Sequence, residues 1–300
     1  MARRIKSTTR QYRDRGIQLL RAFRKESPDR NISEFPDWLD RQKKSIRRNT
    51  WYQYKQSAIQ IMMDLGQTGA ANQIDLMGSE GCFGGRMKVT RSLPDRTMDK
   101  LYAVATTPQR IDVWIWLQAG RIAGLRPGEW RDARLSVDEE KMTAHLVVKN
   151  EKHTNGRGNG ATRTIDLSTL YMRARAEDPE NMRAWEILND HLKTVAKHRE
   201  TFRKFYVNSR NVLYRMAKDA GVSVNLYSSR HQFVADLKAA GKTKPEIASL
   251  MGHSDAETAT THYGRKISGR ADVPVPMASP AEIATVRVRS DPRPDVQKSS

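Results

Sequence analysis

The helical periodicity of this chain breaks at Gly81-Cys-Phe-Gly-Gly-Arg86 and starts afresh at Ser92-Leu-Pro94, where proline falls near a first helical turn. That break constrains the fold most, because apolar residues recur at helical spacing on its amino-terminal side. Ile17, Leu20, Phe23, Trp38 and Leu39 suit short amphipathic helices, and Trp51, Tyr54, Ile59, Ile61, Met62 and Leu65 give one wide apolar face. A chain of 300 residues is long enough for each side of the break to bury its own core. The expected organisation is a helical domain over residues 1–88, a second domain over 93–271 and a flexible tail over 272–300.

Beyond the break, Thr107-Pro108 opens a helix with Ile111, Ile115, Leu117 and Ile122 as candidates for its buried side, and Gly124 stops it. Thr143-Ala-His-Leu-Val-Val148 and Thr162-Arg-Thr-Ile-Asp-Leu167 read as strands of a small sheet, joined through the glycine-rich Asn155-Gly-Arg-Gly-Asn-Gly160. Helical spacing resumes with Trp185, Leu188, Leu192 and Val195, then with Val212, Leu213 and Met216 up to Gly221. Three capping-box patterns follow: Ser229 to Gln232, Thr243 to Glu246 and Ser254 to Glu257, the last opening a helix that reaches Tyr263. The fold class is therefore mainly α with a small antiparallel β-sheet, an α+β chain. Past Asp272, proline, serine and charge dominate, so the tail is expected to order only on contact, with Pro280 to Val286 able to form a turn or two of helix.

Lys and Arg number 53 against 34 Asp and Glu, a formal charge of +19. In the first fifty residues alone, 15 basic residues face 6 acidic ones. Each phosphate that such a surface neutralises releases a counterion, so the charge points to a nucleic-acid partner. Cys82 is the only cysteine, which excludes an intramolecular disulfide and a thiolate-cluster metal site, and fits a cytoplasmic, nucleoid-associated protein. The sequence offers no bilayer-length apolar run, so no membrane partner is expected.

The carboxyl-terminal half carries a set suited to phosphodiester transfer, which needs an oxygen nucleophile, cations for the phosphorane's charge and an acid for the leaving oxygen. Arg126, Arg230, His253 and Tyr263 follow in that order, each at the edge of a helical stretch, with Lys149 and Lys152 in the hairpin between the arginines. Arginine's planar fork donates two bonds to one phosphate without losing its charge. Taken singly, each residue has an ordinary structural use: Tyr263 as a half-buried aromatic, His253 as a loop histidine, the hairpin lysines as phosphate anchors. Trp51 and Tyr54 read as core rather than base-stacking groups, and Ser228 and Ser229 as helix caps.

Gly124-Leu-Arg-Pro-Gly-Glu-Trp130, Ser229-Arg-His231, Leu250-Met-Gly-His253 and Thr260-Thr-His-Tyr263, in this order, resemble the tyrosine recombinase family of phage integrases and Xer-type resolvases over residues 93–265. The resemblance implies a core-binding domain and a catalytic domain closing as a C-shaped clamp on DNA. It implies Tyr263 as nucleophile, Arg126 and Arg230 as the paired arginines, His253 as the third-box histidine and Glu129 as the acidic support of the first arginine turn. It implies a hairpin lysine that protonates the leaving 5′ oxygen; Lys152, at the end of the strand, is the first choice and Lys149 the second. Arg47, Arg48, Lys55 and Arg157 are candidate DNA contacts.

Two departures from the family pattern stand out. Tyr227 occupies the place three residues before the second arginine where histidine is usual, with His231 a neighbour able to cover part of that role. His253 and Tyr263 also stand one residue further apart than is common. The resemblance further implies cleavage without metal, ATP or other cofactor, a double-stranded recombination site, a homotetramer or a hetero-tetramer with a related recombinase, and a DNA-bending helper. It implies too that the tail packs on a neighbouring protomer. The reading from another class is a DNA-binding architectural protein on the same fold with impaired chemistry.

Overall fold

A computed structural model describes residues 6–84, 92–151, 159–258, 263, 266–270 and 272–288. The chain divides into two compact units, Met1–Lys88 and Val89–Ser300. Lys152, Arg157, the stretch 259–262 before Tyr263 and the end of the tail lie outside the described residues.

The first unit is built from α1 (Lys6–Glu26), α2 (Phe35–Gln42), α3 (Arg48–Asp64) and α4 (Thr68–Leu76). Its core is aromatic: Phe23, Phe35 and Trp38 meet with ring centroids 5.5 to 5.7 Å apart. Trp51 is fully buried and lies beneath the Lys43 ammonium, 4.5 Å from the ring centre. Asn31 and Glu34 make a reciprocal capping box at the 3-10 turn ahead of α2. Leu65, expected on the apolar face, is 48% exposed because it caps the carboxyl end of α3 and lies past its last packed turn.

The second unit contains α5 (Asp95–Ala103), α6 (Pro108–Ala123), α7 (Ser168–Arg175), α8 (Pro179–Lys197), α9 (Phe202–Asp219), α10 (Ser228–Ala239) and α11 (Lys244–Leu250). Strands β1 (Arg134–Asp138), β2 (Thr143–Lys149), β3 (Thr162–Asp166) and β4 (Met277–Ala278) form one antiparallel sheet in that order. Thr107 caps α6 through its side chain and proline follows it, while Gly124 ends the helix in the left-handed region with φ 66°. α6 packs against α8, α9 and α10, so its buried face is wide and includes Val113, Trp114, Trp116, Leu117, Ala119 and Ala123. Ile111, expected on that face, is 41% exposed; it belongs to the first turn, ahead of the packed stretch.

Two local expectations need correction. Ser229 does not cap α10, which begins at Ser228; Ser229 Oγ donates instead to the Leu226 carbonyl at 3.0 Å. Gln232 is drawn into a tertiary network, accepting from the Leu93 amide at 2.8 Å and donating to Asp236 and the Ser268 carbonyl. In place of a free tail, residues 272–288 lie along their own unit. β4 pairs with β3, Glu282 accepts from the Thr164 amide at 2.8 Å, and Val286 is buried with Ala248 and Ala256. The edge of β3 offers unpaired backbone groups, and satisfying them in a packed setting outweighs the tail's polar composition.

Candidate active site

The site is organised around Glu129, which starts a 3-10 turn one residue past the Arg126-Pro127-Gly128 bend. Its carboxylate accepts from the Arg126 amide at 2.8 Å and from Arg126 Nη1 at 2.6 Å. Arg163 reaches it from β3 with Nη2 at 2.8 Å and Nη1 at 3.2 Å. Arg230 Nη1 approaches from the first turn of α10 at 3.5 Å. Burial opposes the charge on Glu129, but Arg163, Arg230 and Arg126 together hold its carboxyl far below the usual carboxylate range. Three buried guanidinium groups around one carboxylate leave two positive charges in excess.

Arg230 is fully buried and fixed by carbonyls at both ends of its fork: Nη1 donates to Gly124 O and Nη2 to Met251 O, each at 2.6 Å. Its Nε is buried with no partner among the described residues. The two accepting carbonyls belong to the turns that carry Arg126 and His253, so one side chain ties both turns to α10. Both turns depend on glycine. A Cβ on Gly124 would stand 2.1 Å from the Phe233 ring, and one on Gly252, φ 62°, would stand 2.5 Å from Asn150 Oδ1.

His253 leaves α11 through Gly252 and is buried, with Nε2 3.4 Å from both Arg230 Nη2 and the Tyr263 hydroxyl. Burial, then the charges of Arg230, Arg126 and Arg163, lower its pKa to about 2, so it stands as a neutral imidazole. Tyr263, 9% exposed, has Arg230 5.8 Å from its ring centre, His231 stacked at a tilt 5.1 Å away and the Tyr227 hydroxyl 2.7 Å from its own. Burial opposes ionisation of Tyr263, but Arg230, the hydrogen bond from Tyr227 and Arg126 outweigh it and bring the phenol below its ordinary range. The site thus sets a phenol of lowered pKa among buried guanidinium groups, surroundings that favour negative charge on its oxygen.

The structure thus brings Arg126, Glu129, Tyr227, Arg230, His231, His253 and Tyr263 together. Lys149 ends β2 on its exposed face, opposite the inward Val148 and Asn150. Arg47 and Arg48 are exposed at the start of α3, where Arg48 lies against Tyr52. The Lys55 ammonium donates to the Asp75 and Met77 carbonyls at 2.6 and 2.9 Å, capping α4. Among the described residues no group of three or more His, Cys, Asp or Glu could hold a metal ion, and no helix is long and apolar enough to cross a membrane.

The sequence matches no family model and no curated protein. Among solved structures, the chain is similar to the XerH site-specific recombinase bound to palindromic difH substrate in a post-cleavage complex. That match has a TM-score of 0.47 and 10% identity, over 83% of this chain and 74% of the other. It is also similar to the XerA recombinase, with TM-score 0.35 and 20% identity, over 88% of this chain and 90% of the other. Both are recombinases.

Sequence reasoning missed Arg163 and Asn150. Arg163 is fully enclosed, donating to Glu129, to the Leu250 carbonyl at 2.9 Å and, in a very short bond, to Asn150 Oδ1. The available signal was strand alternation: Arg163 shares a face with Ile165, and Asn150 continues the face of Leu146 and Val148. A charged or amide residue in register with core positions needs a buried partner, and here the two supply one another.

Proposed function

We propose that this chain is a tyrosine-type, site-specific DNA recombinase. The observation that carries the reading is the convergence of Arg126, Arg230, His253 and Tyr263 on one cationic pocket, with the Tyr263 hydroxyl poised between His253 and Tyr227. Arg126 and Arg230 hold the non-bridging oxygens of a DNA phosphate, and neutral His253 donates a further bond. Tyr263, having given its proton to water, attacks phosphorus as the phenolate, forming the Oη–P bond as the P–O5′ bond breaks, and the 5′ oxygen departs with a proton from Lys152. A 3′-phosphotyrosyl link results, and the 5′ hydroxyl of a partner strand reverses it. Because the ester conserves the bond energy, no ATP is consumed and the arginines do the work a metal would do.

The partner is double-stranded DNA, reached through the basic surface of both units, with strand exchange in a tetramer of this chain or with a related recombinase and with a bending helper where the site demands one. The test is a nicked suicide duplex of a site selected from the host element's ends, whose short 5′ fragment diffuses away after cleavage. A detergent-stable protein–DNA adduct that forms in chelator and vanishes in Tyr263→Phe is the expected result. Tight binding without adduct would instead favour an architectural DNA-binding protein.

A further inference from the structure

We infer that Tyr227 is a second catalytic phenol: its hydroxyl donates to Tyr263 Oη, holds that oxygen as the attacking phenolate, and then turns to a non-bridging oxygen of the phosphoryl group. The inference rests on the recombinase reading. Tyr227 precedes α10 by one residue, and its backbone is set by Asn225, whose Oδ1 accepts from the Tyr227 amide at 2.8 Å and whose carbonyl accepts from the Ser228 amide at 2.9 Å. It stands three residues before Arg230, so both side chains address the same side of the helix entrance. The rings of Tyr227 and Tyr263 are near parallel, 29° apart in plane, with their hydroxyls 2.7 Å apart.

Packing alone does not require that hydroxyl. Phenylalanine at position 227 would fill the same volume and keep the contacts to His231 and Tyr263, but it would remove the hydroxyl nearest Tyr263 Oη and leave that oxygen to Arg230 and to His253 Nε2, 3.4 Å away. The groups facing the phenol pair come from every surrounding element: Arg230 and His231 on α10, His253 after α11, Arg126 on the bend after α6, with Glu129 and Arg163 beneath. The surroundings treat the two phenols differently. Burial raises Tyr227, and repulsion from Tyr263 adds to it against the opposing pull of Arg230, whereas Tyr263 is lowered. With the hydroxyls 2.7 Å apart, Tyr263 is the phenol favoured to give its proton to water and Tyr227 the one favoured to keep its own and donate.

During attack the phenolate's charge moves onto the phosphorane oxygens as Oη bonds to phosphorus and the 5′ oxygen leaves with its proton from Lys152. Tyr227 keeps its own proton throughout and follows the charge. In the return step the ester opens, Tyr263 leaves as phenolate and Tyr227 receives it again.

The test uses the full chain with tyrosine labelled at the ζ carbon, titrated by NMR, alongside adduct formation on the suicide duplex across pH. In the wild type one phenol, assigned by its loss in Tyr263→Phe, titrates below the ordinary value of about 10. In Tyr227→Phe that midpoint moves upward, and adduct formation falls about a hundredfold at neutral pH, as for loss of one preorganised donor, recovering as pH rises. Tyr227→His keeps a donor and retains activity within about tenfold, with a new break near the histidine pKa of about 6.5; it also carries the test if the phenylalanine variant does not fold by circular dichroism. A Tyr263 midpoint and pH profile unchanged in folded Tyr227→Phe, or Tyr227→His as slow as a donor-free site, overturns the assignment of Tyr227 alone. Absence of adduct in the wild type overturns the recombinase reading, and the catalytic role of Tyr227 with it.

Discussion

Arg163 closes a two-point ion pair on Glu129, Nη2 to Oε2 at 2.8 Å and Nη1 to Oε1 at 3.2 Å, with both side chains fully shielded from solvent. Through Leu250 O the same guanidinium holds the end of α11, two residues before Gly252, while Glu129 holds Arg126. A single β-strand residue therefore fixes the spacing between Arg126 and His253. Glu129→Gln removes the charge that keeps three guanidinium groups together and is expected to cost about 3–5 kcal/mol, the usual penalty for leaving buried charge unpaired. Arg163→Met is expected to cost a similar amount. Because both variants break the same contact, the double variant should be less unstable than their sum by more than about 1 kcal/mol, read from urea midpoints. Simple additivity would mean that the pair acts as two independent groups.

Acid should destabilise the second unit well above the range where its carboxylates titrate. His191 is enclosed between Trp116 and Trp130, its Nε2 has no partner among the described residues, and burial lowers its pKa to about 3. His253 is lowered to about 2 by burial and by Arg230, Arg126 and Arg163. An unfolded histidine binds its proton below about pH 6.5, so between there and the folded pKa the unfolded state carries more protons. Stability is full above that window and is lost as pH falls through it, by about 1.4 kcal/mol per pH unit for each histidine. Glu129, whose folded pKa is depressed, adds a further loss below about pH 4.5. His191→Gln should flatten the slope between about pH 6 and 4.5 by one proton's worth. An unchanged slope would show that His191 takes up its proton without unfolding the unit.

What the sequence made legible was local. Thr107-Pro108 and Gly124 bound α6, and Thr243 and Glu246 make the reciprocal capping box that starts α11, because each uses groups within one helical turn. Ser229 to Gln232 carries the same letters and does not cap, since Gln232 finds Leu93, 139 residues away, and sequence periodicity carries no such information. The bonds of Lys55 were hidden for a like reason: a lysine on α3 meets the open carbonyls at the end of α4 only once the two helices pack. Arg126, Arg230, His253 and Tyr263 follow one another in the sequence, and the structure draws the four into one cluster. Arg163 and Asn150 lay hidden in strand alternation, as polar residues at core positions.

The strap formed by residues 272–288 should be the part of the second unit easiest to loosen. Glu282 receives the Thr164 amide at 2.8 Å, and its carbonyl receives Asn159 Nδ2 at 2.9 Å, so the segment braces both β3 and the base of the hairpin. Thr285 adds a bond to Asn159 at 2.5 Å, and Arg287 pairs along Ser254 and Ala256. Glu282→Ala removes one charged acceptor from a part-buried amide, a loss of about 1–2 kcal/mol. Hydrogen exchange at the Thr164 amide is expected to rise by about tenfold or more, while amides in α6 stay protected. Equal acceleration in both places would mean that the strap is part of the global folding unit.

DNA binding should separate the cations that face solvent from those that hold the fold. Each phosphate contact contributes close to one unit to the slope of log affinity against log salt. Arg47 and Arg48 are exposed at the start of α3, so Arg47→Ala and Arg48→Ala should each lower that slope by about one without moving the urea midpoint much. Lys55 is 14% exposed and bonded to two carbonyls, so Lys55→Met should leave the slope intact and cost about 2 kcal/mol of stability, as expected for charge-assisted bonds at a helix end. In the hairpin, Lys149→Ala should likewise lower the slope by about one and leave adduct formation within about threefold, because the exposed face of β2 turns away from Glu129. Lys152→Ala should slow adduct formation by about a hundredfold, the usual worth of a positioned acid. If Lys149→Ala is the slower of the two, the proton for the leaving 5′ oxygen comes from Lys149 at the end of β2.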